Sequence, residues 1–500
     1  MENRLSLLFL FFVIPFMSFA QTSPNGEWCG TEYPEYMFEY VEQATQDFLR
    51  GVEKSNQEYQ IPVTLHNMRN TNASGGGDVT EILPMFCQIA EAFEPYGIHL
   101  YLHELKQHNS TGWTDDGALS TTTFLTKEPN TVNMYLFTQL TGGAGLCGYY
   151  LGNATTPGQT EPMGADVIAI NTNSVCGDNV GVLVHEMGHY FGLPHTFFGL
   201  EGTGENCGAS VSSGERVDGS NCATAADRIC DTPPDNNANA NANCPGDMGC
   251  QQLDPDGNSF NPDATIYMSY YLPCLSRFTD GQEMVMKGII ENLRDDLLVL
   301  PAPTNLQPVT QTANLVLPEE GVNRPYDEVY FNWAPVPNAT HYYLEISRTA
   351  NFSQAFRIES TIVDINQYTS TILEPSLTYY WRVLAYNGIH TCIDEYSSST
   401  FNTLAWTVSN DEIAGIESVN ISPNPAFSGQ AVTLQVQSTR QLNGTLNVYN
   451  VRGQLVHENT VSVGTSNDTF VIDTESLSAG LYVVHLQFEE GTIQKKFIVN

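Results

Sequence analysis

Residues 185–195 read HEMGHYFGLPH, and no other stretch constrains the fold as tightly. On an α-helix, residues four apart share a face one turn apart. His185 and His189 therefore present two imidazoles to one point. His195 lies six residues past His189, where a continuing helix would swing it away. Gly192 relieves the conflict, because glycine accepts a left-handed backbone that ends a helix and turns the chain back. Pro194 then disfavours further helix. The chain must therefore end a helix near residue 190 and return His195 toward the first two histidines. Three imidazole nitrogens leave the fourth position of a tetrahedral zinc site open, as in catalytic sites. Glu186 adjoins the first ligand, placed to take a proton from a zinc-bound water as that water attacks a carbonyl. The competing reading is an amphipathic helix with solvated or core histidines. Against it, the apolar run GVLV at 181–184 would bury this helix. Five fixed letters are also matched by chance in a chain this long only roughly once in several thousand.

The bulk properties set the frame. A chain of 500 residues suggests about three domains. Against 19 Lys+Arg stand 56 Asp+Glu, a net charge of −37, which repels nucleic acid and anionic membranes, so neither is an expected partner. The acidic residues are spread along the chain and read as a solvated surface that could also hold hard cations such as calcium. The start, MENRLSLLFLFFVIPFMSFAQ, has a short segment with Arg4, an apolar run and a small-x-small site before Gln21. It reads as a signal peptide over 1–20, too short for a membrane anchor. No Cys follows that site, and no later segment reads as a transmembrane span. Eleven cysteines occur, five of them between 207 and 250, with Cys274 just beyond. In an exported chain that density implies a disulfide-stapled loop region. An odd count leaves at least one thiol without an intramolecular partner; Cys29 is the candidate, and a bond from Cys29 to Cys87 or another body cysteine is the alternative.

Along the chain, residues 21–55 read as a prosegment, helical and polar over 22–55, with YMFEYVEQATQDFL as the periodic part. A unit over 56–298 alternates strand and helix patterns: EYQIPVTLHNMR, VTEILPMFCQIAEAF, IHLYLHEL, VNMYLFTQL, ADVIAINTN, DNVGVLVHEMGHYFGL and a closing FTDGQEMVMKGIIENLRDDLL. That order predicts an α/β catalytic domain. Between 196 and about 265 the composition favours turns. After the linker PAPTNLQP the pattern becomes all-β. Over 301–405, Trp333 and the series Leu373, Pro375, Tyr379 before YWRVLAY resemble the tyrosine corner of fibronectin type III sandwiches. A further β unit over 414–500 carries SPNPAFSG, LNVYNVRGQLV, LSAGLYVVHL and KKFIVN. It resembles the C-terminal sorting domain of the type IX secretion system of Bacteroidetes. That resemblance implies the secretion machinery as a partner, and a product released or held at the outer-membrane surface of a Gram-negative bacterium. The whole is expected to be multidomain: an α/β domain followed by two all-β sandwiches.

The eleven residues match the metzincin signature HExxHxxGxxH. TIYMSYY supplies the methionine turn that this family implies, with Met268 as a structural floor and Tyr270 as the tyrosine that stabilises the oxyanion. The order HTFFG, ADRICDTPPD, NCPGDMGC and IYMSYYLPCLSRFTDGQ resembles the pappalysin family in its cytophagalysin branch, across about 56–298. The resemblance implies a secreted zinc endopeptidase acting on proteins or peptides, with His185, His189 and His195 on zinc and Glu186 and Tyr270 as catalytic residues. It implies the disulfides Cys207–Cys250 and Cys244–Cys274, and structural calcium near Asp227 and Thr232. Cys222 and Cys230 are additional here and can pair with each other, as can Cys147 with Cys176. Cys29, in EWCGT, corresponds to a Cys-Gly-Thr of relatives and suggests a latency switch in which its thiolate occupies the metal. Two departures stand out. The segment SYYLP lacks the acidic residue that some relatives use to favour basic residues, so an apolar or aromatic primed-side preference is expected. The loop from Cys207 to Cys250 is also longer than the family pattern. The alternative function is a surface-binding or adhesive protein whose peptidase scaffold is degenerate.

Overall fold

The computed structural model describes residues 28–141, 146–152, 166–172, 180–200, 211–237, 252–271, 274–303, 305–393, 395–404, 413–451, 454–465 and 467–500. The expected signal peptide lies outside them, as do Cys176, Cys207, Cys244 and Cys250 and with them the expected pairings of these residues. The chain divides into two compact units. One comprises 1–322, 330–369 and 379–401, and the other 323–329, 370–378 and 402–500.

Among the described residues, the first unit opens with a sheet of five strands: β1 (Tyr59–Arg69), β2 (Ile98–Asn109), β3 (Val132–Phe137), β4 (Gly148–Leu151) and β5 (Val167–Asn171). They lie in the order β2-β1-β3-β5-β4. The first four in that order run parallel, and β4 closes the edge antiparallel to β5. The central strands are buried along almost their whole length, as befits a parallel sheet. The short strand β4 was not legible as a strand in the sequence, since only four residues carry it.

Among the described residues, five α-helices accompany the sheet: α1 (Phe38–Leu49), α2 (Val79–Phe93), α3 (Leu119–Thr126), α4 (Val180–Tyr190) and α5 (Asp280–Asn292). Helix α2 starts where the Asp78 side chain accepts from the Thr80 amide, and α5 starts in a capping box of Thr279 and Gln282, each satisfying donors that a helix start leaves open. Among the described residues of the expected prosegment, a 3-10 turn (Glu35–Met37) leads into α1, and residues 28–34 are extended or irregular. Helix α1 turns Phe38, Val41 and Ala44 into the core, and Arg228 lies over the Phe38 ring at 3.9 Å. Among the described residues of the turn-rich region, β6 (Gln252–Leu253) and β7 (Ser259–Phe260) form a two-stranded pair.

Strands β8 (Leu315–Leu317), β9 (Asn323–Arg324), β10 (Val329–Trp333), β11 (His341–Ser347), β12 (Arg357–Val363), β13 (Gln367–Ser370), β14 (Thr378–Tyr386) and β15 (Ser397–Thr403) follow. In the part of them that belongs to the first unit, Phe331, Trp333, Trp381 and Phe401 are fully buried. This part is not a separate bead. The core of the α/β layer runs on into Tyr343, Leu384 and Tyr386. Arg357 binds both Asp78 and Glu345, and Arg382 binds Glu345. Cys87 of α2 is disulfide-bonded to Cys392. That bond overturns the alternative in which Cys87 served Cys29. Cys222 is bonded to Cys230. Cys147 and Cys274 are each disulfide-bonded.

In the second unit, β16 (Ile416–Ser422), β17 (Val432–Ser438) and β20 (Asn467–Ile472) form one sheet. Strands β18 (Leu442–Asn450), β19 (Leu455–Val463), β21 (Gly480–Phe488) and β22 (Gly491–Val499) form another. Alternate residues such as Val432, Leu434, Val436, Val484 and Leu486 fill the core between them, the period-2 pattern of half-buried strands.

The first unit also contains an ion pair between a buried arginine and a half-buried aspartate. Arg294, just past α5, makes two hydrogen bonds to Asp166 at 2.8 and 2.9 Å, donates to the Tyr190 carbonyl at 2.7 Å and lies 3.5 Å over the Tyr190 ring. Burial alone would raise the Asp166 carboxyl, but the adjacent guanidinium holds it below the ordinary carboxylate value. A depressed folded pKa stabilises above the unfolded value and ceases to do so as pH falls through the folded one. Arg294→Met, which leaves the half-buried Asp166 carboxylate without its partner, is expected to cost about 2–3 kcal/mol at neutral pH, measured by denaturant unfolding. The difference from the parent chain is expected to shrink below about pH 4.

Candidate metal centre

Helix α4 carries His185, Glu186 and His189, all buried. It ends as the glycine requires. Gly192 has φ +85°, its amide donates to the His189 carbonyl at 2.9 Å, and the Leu193 amide donates to the Gly188 carbonyl at 3.0 Å. These two bonds are those of a left-handed helix cap. A Cβ on Gly192 would lie 2.5 Å from the Ile289 side chain of α5, so packing and backbone both demand glycine.

The turn brings His195 back. His189 Nε2 stands 3.0 Å from His185 Nε2 and 3.1 Å from His195 Nε2, and Cys29 Sγ lies 3.6 Å from His189 Nε2. Ligand atoms of all four residues fall within 4.8 Å of one another. The Nδ1 atoms of His185 and His189 face the carbonyls of Tyr267 at 2.6 Å and Leu193 at 2.7 Å. A carbonyl only accepts, so both Nδ1 atoms carry the proton and both Nε2 atoms present lone pairs. Burial and the neighbouring imidazoles hold His185 and His189 well below the ordinary histidine value. Two buried lone pairs 3.0 Å apart repel unless something positive lies between them. Nitrogen ligands at ~2.0–2.1 Å around tetrahedral zinc lie about 3.3 Å apart, close to the spacing observed. The donor set therefore fits zinc, with carbonyl partners behind two of the rings, as metal-binding histidines require.

Met268 lies under the helix: a Cβ on Gly188 would meet its sulfur at 2.5 Å. The Met268 carbonyl accepts from the Thr196 amide at 3.1 Å, which ties the methionine turn to the segment after His195. Buried Asp235 completes this tie, accepting from Thr196 Oγ1 at 2.8 Å and Ser269 Oγ at 2.7 Å. Sequence reasoning passed over Asp235, although it ends the quoted ADRICDTPPD stretch. Tyr270 is buried against Trp28 and Phe197, and its hydroxyl donates to the Cys29 carbonyl at 3.4 Å.

Residues 28–31 line the rim. Cys29 pairs with Gly148 in a parallel bridge; the Gly30 amide donates to the Gly148 carbonyl at 2.9 Å, and the Cys147 amide donates to the Trp28 carbonyl at 2.7 Å. Thr31 Oγ1 accepts from the Tyr150 amide and donates to Glu186 Oε2, both at 2.8 Å. Thr31 is a second residue that sequence reasoning missed; its place in the Cys-Gly-Thr triplet was the available signal. Glu186 Oε1 has no hydrogen-bond partner among the described residues, and burial raises this carboxyl to about 7. Cys29 is the free thiol among the described cysteines, pushed up by burial and by the Glu186 charge.

Asp227 and Thr232 lie apart from this group. Thr232 Oγ1 donates to Asp227 Oδ1 at 3.0 Å. Asp227 Oδ2 is buried without a partner among the described residues, and burial together with the Glu215 charge raises the carboxyl.

Comparison with known proteins adds a name to this geometry. The secretion system C-terminal sorting domain family matches residues 420–500. Relatives named extracellular metalloprotease occur in several fungi. That of Pyricularia oryzae is 30% identical over 45% of this chain and 72% of its own. The one from Podospora anserina is 28% identical over 45% of this chain and 72% of its own, and that of Coccidioides posadasii is 25% identical over 56% and 96%. The solved structure of chicken CNTN1 FN1–FN3 domains covers 39% of this chain and 69% of its own at 11% identity, with a TM-score of 0.18, too slight a likeness to define a shared fold. No helix among the described residues is long and apolar enough to cross a membrane. A type IX sorting domain and extracellular relatives mark the protein as secreted, and by its identity to these relatives the chain belongs to the extracellular metalloprotease family.

Proposed function

We propose that the protein is a zinc-dependent endopeptidase of metzincin type, of the pappalysin and cytophagalysin branch, latent until residues 28–31 leave the cleft. The observation that carries the reading is the convergence of the Nε2 atoms of His185, His189 and His195 at 3.0–3.1 Å in a buried site. His185, His189 and His195 would hold the metal, and Cys29 would be its fourth ligand in the latent chain. Bound zinc supplies Lewis acidity toward water and a peptide carbonyl.

The remaining roles belong to the chain. With Thr31 withdrawn, both oxygens of Glu186 face the cleft, ready to take a proton from the attacking water and return it to the departing amine. Tyr270 already donates to a backbone carbonyl, that of Cys29; the same hydroxyl would donate to the oxyanion of a substrate. Met268 floors the site, and Gly192 shapes the turn that delivers His195. The exposed edge of β4, now paired with residues 28–31, would orient an extended substrate by backbone hydrogen bonds. Loss of the prosegment by cleavage after Arg50 or Lys54 would open it, since residues 49–58 are exposed throughout. Calcium belongs to the same reading. Its support is the unpartnered Asp227 Oδ2 beside the Glu215 charge, with Thr232 orienting Asp227.

Glu186→Ala in the activated protein is expected to keep about one zinc per chain, as in catalytic sites of this type, and to lose at least about a hundredfold in casein cleavage. Metal analysis beside a casein digest checks this; unchanged cleavage would remove Glu186 from the mechanism. Cys29→Ala is expected to give the unprocessed chain measurable activity. If that variant stays as silent as the parent before processing, the latency role of Cys29 fails.

A further inference from the structure

Strand β2 is the outer strand of the α/β sheet, at the opposite edge from β4, and β12 is the outer strand of its own sheet. Both line one groove of about 1050 Å³, through residues 102–109 of β2 and 361–363 of β12. One contact is a bond from the Leu102 amide to the Gly388 carbonyl at 2.8 Å. Another is a bond from Arg69 Nη1 to Ser360 Oγ at 2.9 Å. Gly388 permits the first, since a Cβ there would lie 2.4 Å from the Leu102 carbonyl. Past Leu102, no backbone partner occupies the outer edge of β2 through Asn109, nor that of β12, among the described residues.

Exposed strand edges are ordinarily short, charged or covered. Here, past a bulge at His103, six residues of β2 (104–109) remain open, a span of about 20 Å at 3.3 Å per residue. The two layers that carry these strands are joined by the Cys87–Cys392 disulfide and the buried Asp78–Arg357–Glu345–Arg382 cluster, and β2 itself meets the other wall through the Leu102–Gly388 bond. Its volume stands at the top of the range for small-molecule sites, ~300–1,000 Å³, which favours a longer occupant. Its charges are largely committed within the protein. Lys106 pairs with Glu104 and Glu128, and Arg69 bonds Asn109 and Ser360. His108 stacks on and contacts His66 at 3.0 Å, and burial lowers the pair to about 4 and about 3. On a chain of net charge −37 the groove is thus close to neutral. What it offers is rows of backbone donors and acceptors.

We propose that this groove binds an extended polypeptide segment by strand addition, and serves as a second, sequence-tolerant binding site for unfolded protein substrates away from the catalytic cleft. The choice of substrate as occupant rests on the peptidase reading; the binding itself does not. The test uses the full, unprocessed chain, whose β4 edge is covered by residues 28–31, with reduced and alkylated casein as probe. Amide hydrogen exchange in 104–109 and 357–363 is expected to slow by about tenfold on adding casein. In the activated protein, Gln107→Trp and Thr361→Trp, on opposite walls, are expected to raise KM for casein about tenfold while leaving kcat/KM for a hexapeptide unchanged. No slowing of exchange, or unchanged casein kinetics in both variants, overturns the proposal. Slowed exchange in a protein that cleaves nothing after activation would uphold the groove and overturn the peptidase reading instead.

Discussion

Two unprotonated imidazole nitrogens 3.0 Å apart in a buried site are an electrostatic demand that only a cation or a proton can meet. Much of the α/β layer is arranged to sustain that demand. The Tyr267 and Leu193 carbonyls fix the protons of His185 and His189 on the far side of each ring. Ile289 of α5 packs where any side chain on Gly192 would stand, so the closing helix holds the turn that returns His195. Asp235 clamps the segment after His195 to the methionine turn. Removing the convergence would leave these contacts with nothing to position.

The rim shows how one set of hydrogen bonds can serve two states. In the chain as it stands, Thr31 satisfies one oxygen of Glu186 while Cys29 places sulfur at the open corner of the histidine cluster. Trp28 fills space between His185 and Tyr270. The three residues together fill the space beside the histidine cluster, where the proposed hydrolysis would need water. The edge strand β4 receives a backbone bond from Gly30 and gives one to Trp28, the kind of bond that the proposed substrate would replace. Inhibition on this reading costs the fold no structure of its own; it borrows the substrate's place.

The β-rich segment following the α/β layer is covalently and ionically fastened to it. The cluster of Asp78, Arg357, Glu345 and Arg382 is buried, and such charges are tolerated only when each is paired. Sequence patterning divided the chain at the proline-marked linker near 301, because that is where the hydrophobic period changes. It could not anticipate that Tyr343, Leu384 and Tyr386 would join the core of the preceding layer. Joining is a matter of which face of a strand meets which partner, and alternation alone states only that a face is apolar.

Much of the site was legible because it is local. The i, i+4 histidines, the glycine at the helix end and the proline after it act through backbone geometry within eleven residues, and backbone geometry is written in sequence. The sorting domain at the end of the chain was legible for a similar reason, through an ordered series of short strand and turn motifs. Thr31, Asp235 and β4 were not. Thr31 reaches Glu186 across 155 positions, Asp235 meets Ser269 across 34, and β4 is defined by a partner strand rather than by its own four residues. Cys29 was singled out as the odd thiol by counting. Its location beside His189 and the pairing of Cys87 with Cys392, 305 residues apart, were settled only when the chain closed on itself. Short-range sterics and periodicity are properties of the sequence, whereas which distant polar groups share a buried space follows from packing the whole layer.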